Sequence, residues 1–256
     1  MQYLVEKYAA VLKGMLVLLS VLRTGVSRVF GWVKAFVPFN LEVPPEPPQL
    51  YGDELPTEMA TIVYIVDCSC SMDSQWQTFL DENGNNASGY RMDRAKSEVI
   101  ASICKLEENI NFDVIEFTCR WSTCFMGPQE ATRVNKETAI AFVRSFKLDP
   151  KGATATGPCG AWALKNYPEA TFILVTDGDP NVLESGNGRV DWRTHLEMIR
   201  DANSNKATIH VLAVSPTNKA MNHFNESVAA ENGPGRVVVV GGDARIEPQP
   251  TEGLDK

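Results

Sequence analysis

A carboxylate and two hydroxyls follow an apolar run one quarter of the way along the chain. Asp67, Ser69 and Ser71 alternate with two cysteines directly after residues 61–66. A continuous apolar run of this length predicts a strand buried on both faces, so these side chains are expected where a buried strand ends in a loop. Their oxygens are hard ligands that suit Mg²⁺ or Mn²⁺ and, less exclusively, Ca²⁺. The spacing therefore predicts that the three side chains converge on one divalent cation.

Two later segments extend this pattern. A second apolar run, residues 171–175, leads into Thr176 and Asp177, which again puts a carboxylate at the end of a predicted parallel strand. Between the two runs lies a glycine-rich turn, residues 151–158, which carries Thr154 and Thr156 just before a helical stretch.

The elements that must position these residues alternate between strand and helix from Glu58 onward. Strands are predicted at residues 60–67, 111–118, 121–126, 170–176, 207–214 and 236–240, and helices near residues 91–107, 136–147, 158–166, 191–203 and 218–231. This order predicts an α/β fold: a Rossmann-like, doubly wound, mainly parallel six-stranded sheet with one antiparallel edge strand. Ligand sites in such sheets lie outside the carboxyl ends of the strands, where Asp67 and Asp177 are expected.

The three segments, Asp-x-Ser-x-Ser, Gly-x-Thr and Thr-Asp-Gly, occur in the order found in von Willebrand factor A domains. Over about residues 58–242 the chain resembles that family and its metal-ion-dependent adhesion site. By motif, Asp67, Ser69 and Ser71 match the first loop, Thr154 the second and Asp177 the third. Thr156 competes for the second loop, but Gly-Ala-Thr matches the family's Gly-Gly-Thr better at Thr154.

The resemblance implies a non-enzymatic, metal-dependent protein-binding module. Its metal accepts a carboxylate from an Asp or Glu of a protein partner, and some relatives work beside AAA+ ATPases. Trp76, in the loop beside the predicted metal site, and Asp179 are the candidate contacts to such a partner. Two alternatives stay open: a structural subunit whose metal only stabilises the fold, and a metal-dependent hydrolase.

The residues themselves favour binding over catalysis. The chain has no Gly-Lys-Ser/Thr phosphate loop, no His-Glu-x-x-His and no Gly-x-Ser-x-Gly motif. Its three histidines, His195, His210 and His223, fall in predicted helices or strands away from the metal loops.

Residues 1–40 form a unit with a different pattern. Apolar residues recur at helical spacing opposite a narrow polar stripe, and five basic residues against one glutamate give the segment a net charge of +4. The apolar stretch between Lys13 and Arg23 is too short for a spanning helix. We interpret the segment as an amphipathic helix that lies on an anionic membrane or docks into a partner, which leaves the domain on the cytoplasmic face as a peripheral protein. Packing of this helix on its own domain is the alternative.

Composition sets the remaining boundaries. Residues 41–57 form a proline-rich linker, residues 58–242 the A-type domain and residues 243–256 a tail predicted to be disordered. Since the whole chain carries −8, the part after residue 40 carries −12, which argues against nucleic acid as a partner. The six cysteines lack the spacing of a zinc site and are interpreted as buried, reduced thiols, although a Cys119–Cys124 bridge is left open.

Overall fold

The computed structural model describes residues 49–50, 53–54, 61–150, 153–183 and 188–241. The predicted N-terminal helix, most of the linker and the C-terminal tail lie outside these residues. Along the described part, the strands are β1 Gln49–Leu50, β2 Asp53–Glu54, β3 Thr61–Asp67, β4 Gln77–Leu80, β5 Asn86–Gly89, β6 Asn111–Phe117, β7 Trp121–Thr123, β8 Gln129–Glu130, β9 Thr171–Thr176, β10 Ile209–Val214 and β11 Val237–Val240. The α-helices are α1 Arg91–Lys105, α2 Arg133–Ser145, α3 Thr156–Asn166, α4 Trp192–Ala202 and α5 Lys219–Glu231, and a 3₁₀ helix spans Cys70–Met72.

The main sheet has the predicted doubly wound topology. Its strand order is β11-β10-β9-β3-β6-β7, and β8 also pairs with β6. The strands from β11 to β6 are parallel to their neighbours, whereas β7 and β8 run antiparallel to β6. The predicted α/β fold with an antiparallel edge is therefore confirmed, and β3 lies inside the sheet between β6 and β9.

Two details of the prediction are wrong. The sheet has seven strands instead of six, because the two-residue β8 is too short to leave an alternating pattern in the sequence. Residues 73–90, where the sequence predicts neither a strand nor a helix, contain the β4–β5 hairpin. Its turn is closed by the Asp81 carboxylate, which accepts hydrogen bonds from the backbone N–H groups of Asn83 and Asn85 at 2.9 and 2.8 Å.

Strand β3 is buried on both faces, as its apolar run predicts. Ile62, Tyr64 and Val66 pack into a core that includes residues of α1 and α2. Val63 and Ile65 point to the other face, into a core that includes residues of α3, α4 and α5. Because both faces of β3 are covered, the polar residues at its carboxyl end have fixed positions.

Among the described residues no helix combines the length and the hydropathy needed to cross a membrane.

Candidate metal centre

The Asp67 carboxylate is fully buried at the end of β3 and is held by two neighbours. Its Oδ1 accepts from the backbone N–H of Ser69 at 2.9 Å, and its Oδ2 accepts from the Thr176 hydroxyl at 2.7 Å. Thr176 is the last residue of β9, the strand beside β3. The first and third predicted segments therefore meet through a direct side-chain hydrogen bond.

The two serines of the first segment lie next to each other. Ser69 is buried and precedes the 3₁₀ helix Cys70–Met72, whose single turn brings Ser71 back toward it. The two Oγ atoms are 3.0 Å apart. Two hydroxyl oxygens at this distance present a pair of neutral ligand atoms beside the Asp67 carboxylate.

Asp177 follows β9 directly and is also fully buried. Its Oδ2 accepts from Nη1 of Arg91 at 2.7 Å, and its Oδ1 accepts from the backbone N–H of Asp179 at 3.3 Å. The next residue, Gly178, has φ of +91°, and a Cβ there would lie 2.6 Å from Nδ2 of Asn225. Only glycine fits this turn, which explains the Thr-Asp-Gly sequence.

Thr154 lies in the second segment and has a buried side chain, 1% exposed. Its backbone is bonded to the loop after Asp177: its N–H donates to Oδ1 of Asn181 at 3.2 Å, and its carbonyl accepts from the Asn181 N–H at 3.0 Å. Its Oγ1 has no hydrogen-bond partner among the described protein atoms. The second and third segments are thus joined through the backbone, while the Thr154 hydroxyl is left without a partner.

The competing residue, Thr156, begins α3 and is equally buried. Its hydroxyl also lacks a partner among the described residues. It lines a very small cavity together with apolar side chains of the core, including Ile65 and Leu174. The two threonines therefore differ in their surroundings, although each has an unsatisfied hydroxyl.

A further contact joins the first segment to the chain just before the second. The backbone N–H of Asp149 donates to the carbonyl of Cys68 at 3.0 Å. Together with the Asp67–Thr176 bond and the Thr154–Asn181 bonds, it links the three predicted segments to one another at the carboxyl ends of β3 and β9.

Arg91 is the part of this centre that sequence reasoning missed. It is the first residue of α1 and is 2% exposed. A basic residue in the first turn opposes the helix dipole, and this was the one local signal that it has a partner elsewhere. That partner, Asp177, lies 86 residues further along the chain.

Burial raises the pKa of both carboxyls. The pKa of Asp67 rises from 3.8 to about 7, mainly because the group is buried and secondly because Asp177 is close; the bonds from Ser69 and Thr176 oppose the shift. Burial also raises the pKa of Asp177, opposed chiefly by the Arg91 guanidinium and by a hydrogen bond with the Ser71 side chain. Both carboxyls therefore hold a proton more readily than exposed carboxyls do.

The oxygens collected here fit a hard divalent cation. Two carboxylates and the hydroxyls of Ser69, Ser71 and Thr154 are the ligand types that Mg²⁺ and Mn²⁺ take, and the Thr154 hydroxyl is an orphan that such an ion would satisfy. The described residues contain no group of three or more His, Cys, Asp and Glu side chains placed to hold a metal, so neutral hydroxyls have to complete this set.

The two candidate partner contacts are both exposed. Trp76 is 64% exposed and packs edge-to-face on Tyr90, with ring centroids 5.0 Å apart. Asp179 is exposed, two residues beyond Asp177. An exposed aromatic pair therefore lies between the first segment and Arg91 in the sequence.

The cysteines differ from the prediction of buried thiols. All six are unpaired, including Cys119 and Cys124, but only Cys68 and Cys159 are buried. Cys70 and Cys104 are exposed. Cys68 and Cys70 differ because Cys68 directly follows the buried strand β3, whereas Cys70 begins the 3₁₀ helix beyond it.

The fold, a mainly parallel sheet flanked by helices, is similar to that of von Willebrand factor A domains. Similar solved structures include a von Willebrand factor type A protein from Catenulispora acidiphila, at 18% identity and a TM-score of 0.53, with 72% of this chain and 39% of that chain covered. The conserved hypothetical protein BatB from Bacteroides thetaiotaomicron has 18% identity and a TM-score of 0.50, covering 71% of this chain and 90% of that one.

A third similar structure is the D319A mutant of the PilB minor pilin from Streptococcus sanguinis, with 15% identity, a TM-score of 0.50, and 74% of this chain and 59% of that chain covered. The present chain thus spans less than two thirds of the Catenulispora and PilB proteins. At these identities the likeness shows the fold alone. No family model matches the sequence, and no curated protein matches it.

Proposed function

We propose that this chain is a divalent-metal-dependent protein-binding module. Asp67, Ser69, Ser71, Thr154 and Asp177 would hold Mg²⁺ or Mn²⁺, and less exclusively Ca²⁺. The bound ion supplies a positive charge that accepts a carboxylate from an Asp or Glu of a partner protein. The exposed Trp76 and Asp179 flank this centre in sequence and are proposed to contact the partner around it.

The observation that carries the proposal is the orphaned hydroxyl of Thr154. A buried hydroxyl without a partner costs about 1–3 kcal/mol, so proteins rarely retain one without a reason. The backbone of Thr154 is bonded to the loop that follows Asp177, which supports a common site for this residue and both carboxylates. A cation bound there gives the hydroxyl the partner that the described protein atoms do not.

A pair of isosteric substitutions tests this assignment. Thr154→Val removes the hydroxyl and keeps the shape, so we expect Mg²⁺ affinity, measured by calorimetry, to fall at least tenfold. The metal-free protein should become more stable by about 1 kcal/mol, because an unsatisfied buried hydroxyl is removed.

The matched control is Thr156→Val, which removes the other orphaned hydroxyl. It should stabilise the metal-free protein similarly and leave Mg²⁺ affinity unchanged. If Thr156→Val weakens binding and Thr154→Val does not, the second-loop ligand has been assigned to the wrong threonine. Wild-type protein that binds neither Mg²⁺ nor Mn²⁺ would remove the proposal altogether.

We further propose that the module is not an enzyme. Two of its histidines, His195 and His210, are buried, and burial lowers the pKa of both imidazoles. Nδ1 of His195 accepts from the backbone N–H of Gly157 at 3.0 Å, so this ring already serves the contact between α3 and α4. Metal-dependent hydrolysis of a phosphoester that is lost in Asp177→Ala would instead support the hydrolase.

We propose that residues 1–40 fix the location of the domain by lying on an anionic membrane at its cytoplasmic face. Their net charge of +4 supports attraction to anionic headgroups, at about 1 kcal/mol per basic residue near the surface. We expect the full-length chain to co-sediment with anionic vesicles and a chain starting at Glu42 to stay in the supernatant. Equal behaviour of the two would favour the alternative, in which the segment docks the chain into a protein assembly as a scaffold subunit.

A further inference from the structure

Arg91 brings a fixed positive charge into the candidate metal centre. Besides the 2.7 Å contact with Asp177, its Nη1 donates to the Ser74 hydroxyl at 2.9 Å and to the Ser71 carbonyl at 3.0 Å. One nitrogen thus joins the loop that carries two proposed ligands to the carboxylate that supplies a third.

The other side of the guanidinium is anchored away from the carboxylates. Its Nε donates to the carbonyl of Ser215 at 3.1 Å, and its Nη2 donates to the same oxygen. Ser215 follows β10 and has a positive φ of 46°. Since most of these acceptors are neutral, the side chain is held in place whether or not Asp177 is charged. Arg91 is therefore a stationary cation whose position does not depend on the charge of Asp177.

A stationary cation changes the net charge of the centre both without and with a bound metal ion. With Asp67 and Asp177 ionised, the two carboxylates and Arg91 sum to a formal charge of −1, and a divalent cation raises this sum to +1. Without Arg91 the corresponding sums are −2 and zero. The guanidinium should thus weaken the attraction for a metal cation and strengthen the attraction of the loaded centre for an external carboxylate.

We propose that Arg91 acts as a built-in counter-cation. Its fixed charge lowers the affinity of the centre for the metal and raises the affinity of the metal-loaded centre for a carboxylate. This inference rests on the proposed function, because it concerns the same centre. It defines the partner chemistry more closely: with Arg91 present the loaded centre stays net positive and selects an anionic oxygen ligand over a neutral one. A purely structural Arg91 would tie the loops together without these two opposite effects.

The experiment is a calorimetric titration of MnCl₂ into full-length protein at pH 8. Arg91→Gln removes the charge and Arg91→Lys keeps it. Arg94→Gln is the matched control about one turn further along α1, since Arg94 is also buried but donates a hydrogen bond to Gln77 and forms an ion pair with Glu98. We expect Arg91→Gln to bind Mn²⁺ at least tenfold more tightly than wild type. Arg91→Lys should bind Mn²⁺ less tightly than Arg91→Gln because it keeps the positive charge, and Arg94→Gln should stay within threefold of wild type.

A second arm measures the opposite effect. Acetate is titrated into the Mn²⁺-loaded proteins, and its binding is followed by the loss of water-proton relaxation as acetate replaces water on the ion. Arg91→Gln should need at least threefold more acetate than wild type for half the change. The chloride salt of the same ionic strength serves as the blank.

The outcomes separate the two levels of the proposal. If wild type binds no Mn²⁺, the metal centre itself is wrong. If wild type binds but Arg91→Gln binds equally or more weakly, or if Arg91→Lys binds as tightly as Arg91→Gln, the counter-cation role is wrong and the metal centre stands. Unchanged acetate binding in Arg91→Gln overturns the recognition half.

Arg91→Gln leaves the buried Asp177 without its partner and can fail to fold, which circular dichroism will report. In that case the comparison is between Asp177→Asn and the double variant R91M/D177N, in which no buried charge of the pair remains. The double variant should bind Mn²⁺ at least tenfold more tightly than Asp177→Asn. Because both variants lack Asp177, a proposed ligand, they are titrated over the higher Mn²⁺ concentrations that a weakened site requires, and equal affinity of the two overturns the proposal.

Discussion

Replacing Asp67 by asparagine should abolish Mg²⁺ binding and, without metal, make the protein more stable above pH 7. Asparagine has the same shape but cannot supply the negative charge that a proposed ligand needs. In the metal-free protein the same charge is destabilising. The pKa of Asp67 rises from 3.8 to about 7, which corresponds to a cost of about 4 kcal/mol for ionising the buried carboxyl, at 1.36 kcal/mol per pKa unit. One substitution should therefore remove a function and raise stability.

The gain should be smaller than the full penalty because the hydrogen bonds must be rearranged. The amide oxygen of Asp67→Asn can still accept from the Ser69 N–H, but its NH₂ group faces the Thr176 hydroxyl, which has to turn and accept. We expect a net increase of about 1–3 kcal/mol in the free energy of unfolding at pH 8, measured with urea and EDTA. At pH 5 the wild-type carboxyl is protonated in the folded state, and the difference should largely disappear.

Asp113→Asn is the control for Asp67→Asn. Asp113 is also fully buried, and burial raises its pKa, but its carboxylate accepts from the backbone of Val114 and Phe125 and from the Tyr167 hydroxyl, remote from the proposed ligands. This variant should keep wild-type Mg²⁺ affinity. Undiminished Mg²⁺ affinity in Asp67→Asn would contradict the assignment of Asp67 as a ligand.

The second large effect is expected from pH. Because a carboxyl must lose its proton to bind a metal, Mg²⁺ affinity should fall about tenfold per pH unit below the Asp67 pKa of about 7, or about 100-fold between pH 8 and pH 5. Metal-free stability should change in the opposite direction. The folded-state pKa lies above the unfolded value of 3.8, so between these values the folded protein binds more protons than the unfolded chain.

The Asp67 contribution to metal-free stability should therefore rise as pH falls from about 7 toward 4, the reverse of the behaviour of a salt-bridged surface carboxylate. Thermal unfolding with EDTA and with saturating Mg²⁺, at half-unit pH steps, measures both trends. The two melting curves should converge near pH 5 and separate above pH 7. A constant separation across this range would show that no proposed ligand titrates there.

The local pattern of the chain was sufficient for the sheet and for part of the centre. Residues 61–66 are apolar without interruption, which occurs when both faces of a strand are covered, and β3 does carry one core on each face. Asp67 and Asp177 follow such strands directly, and parallel neighbours end at the same edge, so their proximity follows from the sequence. The two-residue strand β8 was not predicted from the sequence, because so short a strand has no periodicity to detect.

The electrostatics of the centre was decided by tertiary structure alone. Nothing around Arg91 in the sequence names Asp177 as its partner, because the contact depends on how α1 packs against the ends of β9 and β10. The same is true of the unpartnered hydroxyl of Thr154 and of the Thr176 bond to Asp67, which joins residues 109 positions apart. A sequence specifies which groups can ionise or donate through residue type, but burial and distance set their pKa and their partners, and both arise only when distant segments pack together.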